Sequence, residues 1–506
     1  MSIFKGFHHG TFFYYHMKLT KDLYQQSLAL LTDFYQLTMA YGYWKNGLAE
    51  RESVFNLFFR SNPFEGGYAV TCGLEYVIDY LENFSFDQSD INYLATIKSN
   101  TGGPLFESSF LEYLSELSFS CDLDAMSEGT IAFPHEPILR IKGPIIQCQL
   151  LETPLLNMVN FQTLIATKSS RINLSANGEP VLEFGLRRAQ GIDGGIAASR
   201  ASFIGGCAST SNVLAAKLFD IPVAGTHAHS WIMTFDSEIE AFKAYAKALP
   251  DNCIFLVDTY DSIQGIKNAI EVGSLLRNND KKMVGIRIDS GDLAYISQQA
   301  RKMLNEAGFE ETTIVASNNL DENLVQSLKN QDAKITTWGI GTKLATAYDQ
   351  PALGGVYKMS AIRDTFGEWD YKIKLSEQNI KINNPGIQQV RRYYNSNKMV
   401  ADMIYDVNYG IGDNNTIYHP TDYTKKKILD EKNLQSEDLL VPIFRKGEKI
   451  YIGPGIREIK QKVQRELNFL HAGIKRFQNP HSYPVGLEQK LHEKKMEMIF
   501  NLRHYE

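Results

Sequence analysis

Residues 225–230 (GTHAHS) place two imidazoles and two hydroxyls directly after the short apolar run 221–224 (IPVA). An imidazole at the end of a buried strand can coordinate a metal, relay a proton or accept a phosphoryl group. The pattern therefore predicts a reactive histidine, His229, and leaves these three chemistries open.

A second motif, 287–292 (RIDSGD), puts one cation and two carboxylates around a single turn. The guanidinium of Arg287 is a rigid fork that fits a carboxylate or a phosphate. Asp289 and Asp292 can orient ribose hydroxyls or hold Mg²⁺ through water, because that ion keeps much of its hydration shell. For Asp292 a cap on the following helix is the alternative.

Two further motifs suit a phosphate-bearing ligand. Gly341 and Thr342 end the motif GIGT, which follows a strand and precedes a helix. Glycines there let backbone N–H groups approach an anion, and the start of the helix adds favourable partial charge. Arg187 and Arg188 precede a glycine- and serine-rich run and suit a polyanion. The alternatives are a tight turn and a pair of arginines that bond helix carbonyls at a domain junction.

The elements that must position these groups show a repeating strand–helix pattern from about residue 150. Apolar runs with helical segments between them are each followed by a polar or glycine-rich loop; the runs span 222–225, 253–258, 283–289, 313–317 and 335–341. Such a series predicts an α/β fold with a parallel sheet. Five units favour a (β/α) barrel, in which the loops would face one cavity, and an open doubly wound sheet is the alternative.

The first part of the chain mixes helical and strand signals. Residues 28–43 have apolar positions at helical spacing, with Thr32 and Asp33 as cap residues, and 53–59 is rich in strand formers. Within this helix, the phenol of Tyr35 can stack on a flat ring, the alternative being a half-buried helix residue.

The length of 506 residues exceeds what one hydrophobic core usually supports, so we expect more than one domain. Residues 1–16 are expected to be a disordered extension, and 17–150 an N-terminal α/β domain.

Composition narrows the class of protein. A net charge of −6 argues against a nucleic-acid partner, and no apolar stretch approaches a membrane span. The five cysteines are scattered without metal-site spacing, which indicates reduced thiols in the cytoplasm.

A metal-dependent amidohydrolase is the competing class, since His227-x-His229 at a strand end is a common opening of a two-metal site. Such a site needs further imidazoles from later strands. No histidine occurs between His229 and His419, and Asp258, Asp261 and Asp289 supply oxygen but no nitrogen. The metal interpretation is therefore disfavoured.

Taken in order, LLTDFYQLTMAYGYW, FGLRRAQGIDGG, GTHAHS, RIDSGDL, SNNLDE and GIGT resemble the nicotinate phosphoribosyltransferases nearly end to end. The resemblance implies an irregular (β/α) barrel over 151–370 and an α/β domain built from both chain ends, with 371–506 packing on the N-terminal part. It also implies a homodimer whose active sites share residues.

The resemblance further implies a reaction and its participants. Nicotinate, 5-phosphoribosyl-1-diphosphate, ATP and water would give nicotinate mononucleotide, diphosphate, ADP and phosphate, the first step of NAD salvage from nicotinate. Mg²⁺ or Mn²⁺ would assist and ATP would be a co-substrate, through a phosphohistidine.

Roles are implied residue by residue. His229 would carry the phosphoryl group, Thr226 and Arg287 would contact nicotinate, and Tyr35 would stack on its ring. Thr342 would contact the phosphoribosyl phosphate. The remaining matches are Arg187 beside nicotinate, Arg188, Gly341 and Asn318 beside phosphoribosyl diphosphate, and Asp289 with Arg287 among the catalytic groups. Direct metal ligands stay open.

The chemistry agrees with these roles. Departure of diphosphate builds oxocarbenium character, which Mg²⁺ and cations must stabilise. Nicotinate attacks through its ring nitrogen and needs no deprotonation, so His229 serves energy coupling. A nicotinamide phosphoribosyltransferase is the alternative, but 205–212 contains hydroxyls and no acid, and Arg287 supplies a cation. These features favour a carboxylate ligand, while quinolinate would require a more basic pocket.

Overall fold

A computed structural model describes residues 27–429 and 434–503 of the chain. The expected extension over 1–16 lies outside the described residues. Among the described helices, none combines the length and the apolar character that a bilayer crossing requires.

The N-terminal third alternates helices with short strands. Its first helix begins at Phe34, after a turn, so it is shorter at its start than the pattern over 28–43 predicts. The elements are α1 (Phe34–Lys45), β1 (Glu52–Phe59), β2 (Ala69–Val70), α2 (Leu74–Glu82), α3 (Gln88–Thr96), α4 (Ser108–Ser115), β3 (Asp122–Met126), β4 (Ile131–Ala132), β5 (Leu139–Pro144), α5 (Ile145–Leu150) and α6 (Glu152–Ala176).

The middle of the chain forms the predicted strand–helix series. The elements are β6 (Val181–Glu183), α7 (Gly191–Ile204), β7 (Ser209–Thr210), α8 (Val213–Phe219), α9 (His229–Met233), α10 (Glu238–Ala248), β8 (Ile254–Leu256), α11 (Ser262–Arg277), β9 (Gly285–Ile288), α12 (Leu293–Glu306), β10 (Thr313–Ser317), α13 (Glu322–Asn330), β11 (Thr337–Ile340) and α14 (Thr342–Ala345).

The last part is mostly antiparallel strands closed by two helices. The elements are β12 (Gly355–Arg363), β13 (Trp369–Tyr371), β14 (Gln388–Asn395), β15 (Lys398–Asp406), β16 (Thr416–Tyr418), β17 (Lys426–Ile428), β18 (Gln435–Asp438), β19 (Leu440–Arg445), β20 (Glu448–Lys449), α15 (Ile456–Phe469), β21 (Val485–Leu487) and α16 (Gln489–Arg503). Short 3₁₀ turns lie at Pro63–Glu65, Leu186–Arg188 and Asn379–Lys381.

Three larger sheets organise these strands. A seven-stranded antiparallel sheet has the order β13-β12-β1-β5-β3-β19-β20, so it mixes strands from both ends of the chain. A second sheet, β17-β16-β21-β15-β14-β18, belongs to the last part, and β2 pairs with β4 alone. This mixing agrees with an α/β domain assembled from both chain ends; the predicted domain boundaries themselves stay a prediction.

The central sheet is parallel throughout and has the order β7-β6-β11-β10-β9-β8. The first strand of the series, β6, pairs with the last, β11, which is consistent with a barrel. On the other side of β7, a single bridge joins Thr210 to Val223. Among the described residues, no backbone ladder joins segment 221–224 to β8, so the strand order is left open at this seam.

The α/β class with a parallel sheet is thus confirmed. Strand β10 coincides with the predicted run 313–317, whereas the predicted strand 222–225 is reduced to the bridge at Val223. Pro222 has no N–H to donate, which limits ladder formation there. The strands β6 and β7 were not predicted, since they are short and, unlike β8, do not lie within a longer continuous apolar run.

Candidate active site

The predicted motifs lie at the carboxyl ends of neighbouring strands. The register pairs Ser317 of β10 with Gly339 of β11, and Ile340 of β11 with Glu183 of β6. Because parallel strands end at the same edge of a sheet, the loops that follow these strands adjoin one another. The carboxyl edge of the central sheet is therefore the candidate site.

Arg287, near the end of β9, is the best-oriented cation at this edge. Its Nε donates to Ser317 Oγ at 2.8 Å, its Nη1 to Thr226 Oγ1 at 3.1 Å and its Nη2 to Asp289 Oδ1 at 2.9 Å. The guanidinium also lies 5.6 Å from the centre of the Phe184 ring, and the side chain is 14% exposed. Four neighbours thus hold a largely buried cation in one orientation beside hydroxyls and an aromatic ring.

Two carboxylates lie next to this cation. The backbone N–H of Asp289 donates to Asp258 Oδ2 at 2.8 Å, and Ser290 Oγ donates to the same oxygen at 2.6 Å. The other oxygen, Asp258 Oδ1, is buried without a hydrogen-bond partner in the described part of the chain. A carboxylate oxygen without a hydrogen-bond partner is a suitable ligand for Mg²⁺.

The two carboxylates fit a metal ion that the protein and a bound substrate coordinate together. Within residues 27–429 and 434–503, no group of three or more His, Cys, Asp or Glu side chains could hold a metal ion by itself. Mg²⁺ commonly binds through one or two carboxylates together with substrate phosphates and water. Asp258 and Asp289 can supply that protein share.

His229 is the first residue of α9, and its two ring nitrogens have different surroundings. Nδ1 lies 3.1 Å from Thr259 Oγ1, while Nε2 lies 3.9 Å from Asp289 Oδ2. The side chain is 41% exposed. With Nδ1 engaged by the threonine, Nε2 is the nitrogen that a ligand can reach.

His227 differs from its neighbour two residues on. It is 8% exposed and packs beside the rings of Phe242 and Tyr245. Burial lowers the pKa of His227 to about 4, so its imidazole is neutral at physiological pH. The two histidines are therefore not an equivalent pair.

The loop after β11 is built around close backbone approach. Gly341 has a φ of −116°, so no left-handed conformation demands glycine there. A Cβ on Gly341 would lie 2.9 Å from the carbonyl oxygen of Phe184. Thr342 then begins α14, and Lys343 forms an ion pair with Asp321 in the loop after β10. The two loops that carry the predicted phosphate contacts Thr342 and Asn318 are thereby tied together.

The other predicted phosphate contacts are exposed at the same edge. Asn318 follows β10 with a φ of +113°, a left-handed conformation rarely held without a functional or structural reason. Arg187 and Arg188 lie in the 3₁₀ turn after β6, where neither guanidinium has an ion-pair or hydrogen-bond partner among the described residues. Their roles stay predictions, and the alternative of bonds to helix carbonyls has no such bond to support it in this part of the chain.

Tyr35 lies elsewhere. It is on α1, 48% exposed, and lines a depression of about 370 Å³ with Glu152, Asn160 and residues 351–353. Burial and the nearby carboxylates of Glu152 and Asp33 raise its pKa. Within the described chain, no hydrogen bond or ring contact links Tyr35 to the carboxyl edge of the central sheet, so one chain does not bring it to Arg287.

Several residues at the site were not assigned roles from the sequence. Thr259 holds His229, Ser317 and Phe184 orient Arg287, and Asp258 fixes the turn at Asp289. Each lies in or beside a named motif or at the end of a predicted strand, but its partner depends on contacts between loops that spacing does not reveal. Asp292, by contrast, caps α12 by accepting from Tyr295 N–H, the structural alternative for this residue.

Comparison with known proteins covers most of the chain. Three family models match: the nicotinate phosphoribosyltransferase N-terminal domain at 30–160, the nicotinate phosphoribosyltransferase family at 181–369 and its C-terminal domain at 387–495.

Individual relatives are similar over nearly their whole length. The chain is 45% identical to nicotinate phosphoribosyltransferase of Bacillus subtilis, over 94% of this chain and 96% of that protein. It is 33% identical to the Homo sapiens protein of the same name, over 91% and 95%. The crystal structure of human nicotinic acid phosphoribosyltransferase superposes with a TM-score of 0.80 at 31% identity, over 92% of this chain and 99% of that one. The chain belongs to the nicotinate phosphoribosyltransferase family.

Proposed function

We propose that this protein joins nicotinate to the ribose of 5-phosphoribosyl-1-diphosphate and releases diphosphate, as the name of its family indicates. The observation that carries the proposal is Arg287, a largely buried guanidinium held by Thr226, Asp289 and Ser317 beside the Phe184 ring. A fixed cation with a neighbouring hydroxyl and aromatic ring suits a flat acid. In this arrangement Arg287 and Thr226 bind the carboxylate, and the pyridine nitrogen attacks C1 of the ribose.

Nicotinate is favoured over nicotinamide by the same geometry. A carboxylate gains a charge-assisted hydrogen bond from Arg287, roughly twice as strong as a neutral one. Asp289 and Thr226 each engage one N–H of Nη2 and Nη1, so each of these nitrogens keeps a second N–H that can donate to the ligand.

ATP coupling through His229 is part of the proposal. In the tautomer that this reaction uses, the proton is on Nδ1, which lies 3.1 Å from Thr259 Oγ1, and the Nε2 lone pair is free to attack the γ-phosphorus. The Nε2–P bond forms as the bond from phosphorus to the β,γ-bridging oxygen breaks, and ADP departs with that electron pair. Water later cleaves the phosphoimidazole to phosphate and restores the ring. Mg²⁺ or Mn²⁺ would neutralise phosphate charge here, and Asp289 and Asp258 would hold it.

The proposed oligomer is a homodimer with shared sites. Tyr35 is half exposed on α1 and makes no described contact with Arg287 in its own chain. A partner subunit that supplies Tyr35 would place its ring against the nicotinate bound at the neighbour's central sheet. Stacking by an aromatic ring from outside the barrel would also exclude water from that face of the substrate.

The test is incubation with nicotinate, phosphoribosyl diphosphate and Mg²⁺, with and without ATP, following mononucleotide and diphosphate. Nicotinamide replaces nicotinate as the specificity control. We expect product from nicotinate, more of it with ATP, and label from γ-³²P-ATP on parent protein but not on His229→Ala. No mononucleotide under any condition would refute the activity, whereas product without label on the parent would refute the phosphohistidine alone.

A further inference from the structure

The outer edge of β8 carries a backbone donor that no strand can satisfy. Val257 N–H donates to Arg287 O of β9 at 3.1 Å. Neighbouring residues of a strand direct their N–H groups to opposite edges, so Leu256 N–H faces away from β9, towards the open seam. Leu256 is only 1% exposed, and a buried N–H requires a partner.

The partner is a side chain from across the seam. Nε2 of His227 accepts from Leu256 N–H at 3.3 Å. Nε2 must therefore be unprotonated, and the ring proton is on Nδ1, 3.5 Å from Ala228 O. Packing against Phe242 and Tyr245 keeps the ring dry and neutral, with the pKa lowered to about 4.

This contact and a second one attach the same loop to the same strand end. His227 bonds Leu256, and two residues later His229 bonds Thr259, three residues beyond Leu256. Thr226 on the other side of His227 is the acceptor of Arg287. The loop that carries the proposed nucleophile is thus held by hydrogen bonds at Thr226, His227 and His229, of which His227 is the most buried.

We propose that His227 is a positioning residue for phosphoryl transfer to His229: its Nε2 replaces the missing backbone ladder at the barrel seam and so sets where the reactive imidazole lies. The inference deepens the proposed function and rests on it. His227 touches no substrate in this account. It acts through the loop, so its loss should uncouple ATP from nucleotide synthesis more than it slows synthesis itself.

The experiment compares three variants of the full-length protein. His227→Leu removes the acceptor but keeps an apolar side chain, while His227→Gln restores an oxygen that can accept from Leu256 N–H. Tyr245→Leu is the matched control, because it removes the ring packed on His227 and leaves the hydrogen bond. The measurements are the initial rate of ³²P labelling from γ-³²P-ATP, the ATP hydrolysed per mononucleotide formed, the ATP-independent rate, and hydrogen exchange of the Leu256 amide.

His227→Leu should lower the labelling rate about ten- to hundredfold, because displacement of a reacting group by about 1 Å costs that much. Its ATP-independent rate should stay near that of the parent, and its Leu256 amide should exchange faster. His227→Gln should recover most of the labelling. Tyr245→Leu should melt earlier but keep the parent's labelling rate per folded molecule.

If His227→Leu has the parent's labelling rate and hydrolyses as much ATP per mononucleotide as the parent, the inference is overturned while the proposed function stays intact. Equal loss of labelling in His227→Gln and His227→Leu would also overturn it, because the acceptor would then be irrelevant. A parent that incorporates no label would remove the phosphohistidine proposal and this inference together. The parent sample thus separates the two failures.

Discussion

Replacement of Arg287 tests the substrate assignment most directly, because its three donors are already directed by Ser317, Thr226 and Asp289. Arg287→Ala removes the cation that the nicotinate carboxylate would meet. A hydrogen bond to a charged group contributes about 1.5–3 kcal/mol, and 1.4 kcal/mol is tenfold, so the KM for nicotinate should rise about 10- to 150-fold. Nicotinamide, which lacks the charge, should lose much less.

Arg287→Lys separates charge from geometry. The ammonium keeps the charge but is a single point without the planar fork, so it cannot reach all three partners at once. We expect a nicotinate KM between those of the parent and Arg287→Ala. Ser317→Ala is the matched control, because it keeps the guanidinium and removes the hydroxyl that accepts from Nε and donates to Asp289; a change of about 0.5–1.5 kcal/mol per lost hydrogen bond is expected.

The assay is initial-rate kinetics with nicotinate and nicotinamide at saturating phosphoribosyl diphosphate. Thermal unfolding of each variant checks that Asp289, about one-third exposed, tolerates loss of its partner. Equal loss of efficiency for the acid and the amide in Arg287→Ala would refute the carboxylate contact. The role of Arg287 would then be confined to orienting Asp289 and Thr226.

Three further predictions address pH, the phosphate loops and the dimer. Because the pKa of His227 is lowered from its ordinary value near 6.5 to about 4, the unfolded chain takes up the proton first. The parent's stability should therefore be full above pH 6.5 and fall as the pH drops towards 4, by up to about 3 kcal/mol at 1.36 kcal/mol per pH unit. His227→Gln should lack this component when the free energy of unfolding is measured by denaturant titration at pH 7 and pH 4.5. An equal loss of stability between the two pH values in parent and variant would contradict the prediction. Lys343→Met should raise the KM for phosphoribosyl diphosphate and leave the KM for nicotinate unchanged, because Lys343 joins the loop of Thr342 to Asp321. Lys329→Met is the control, because it breaks an ion pair with Glu179 instead. Equal KM values for phosphoribosyl diphosphate in the two variants would argue against this role of Lys343. Co-expression of Tyr35→Ala with His229→Ala should restore ATP-coupled synthesis that neither variant shows alone. In a mixed dimer with shared sites, one site combines the intact His229 of one chain with the intact Tyr35 of the other. No recovery from purified mixed dimers would place Tyr35 outside the neighbour's site.

The sequence predicted strands correctly where a continuous apolar run has the length of the strand. The run 313–317 is bounded by polar loops and forms β10 as predicted. The strands β6 and β7 were missed, although they belong to the central sheet, because they have three and two residues and no longer apolar run around them. The three-residue strand β8 was recognised because it lies within the apolar run 253–257. The start of α1 at Phe34 was also missed, because residues 28–32 keep an apolar spacing but form a turn.

The candidate site was predictable as a set of residue types and not as a set of contacts. His229, Arg287 and Asp289 are recognisable from their motifs, yet the partners of Arg287 follow from pairing between strands. The register places Val315 opposite Arg287 in the parallel β9–β10 pair. Side chains alternate along a strand with a period of two, so Ser317 shares a face with Val315, as Asp289 does with Arg287.

That register decides whether the guanidinium has an acceptor at Nε. A shift by one residue would turn Ser317 to the opposite face of the sheet and leave Arg287 beside Ala316, which has no acceptor in its side chain. The spacing within RIDSGDL is the same in either register, so the motif alone cannot distinguish them. The observed register places Ile286 and Ile288 opposite Ile314 and Ala316, and all four side chains are fully buried. The pairing of two short strands therefore decides which neighbours orient the cation of the motif RIDSGDL.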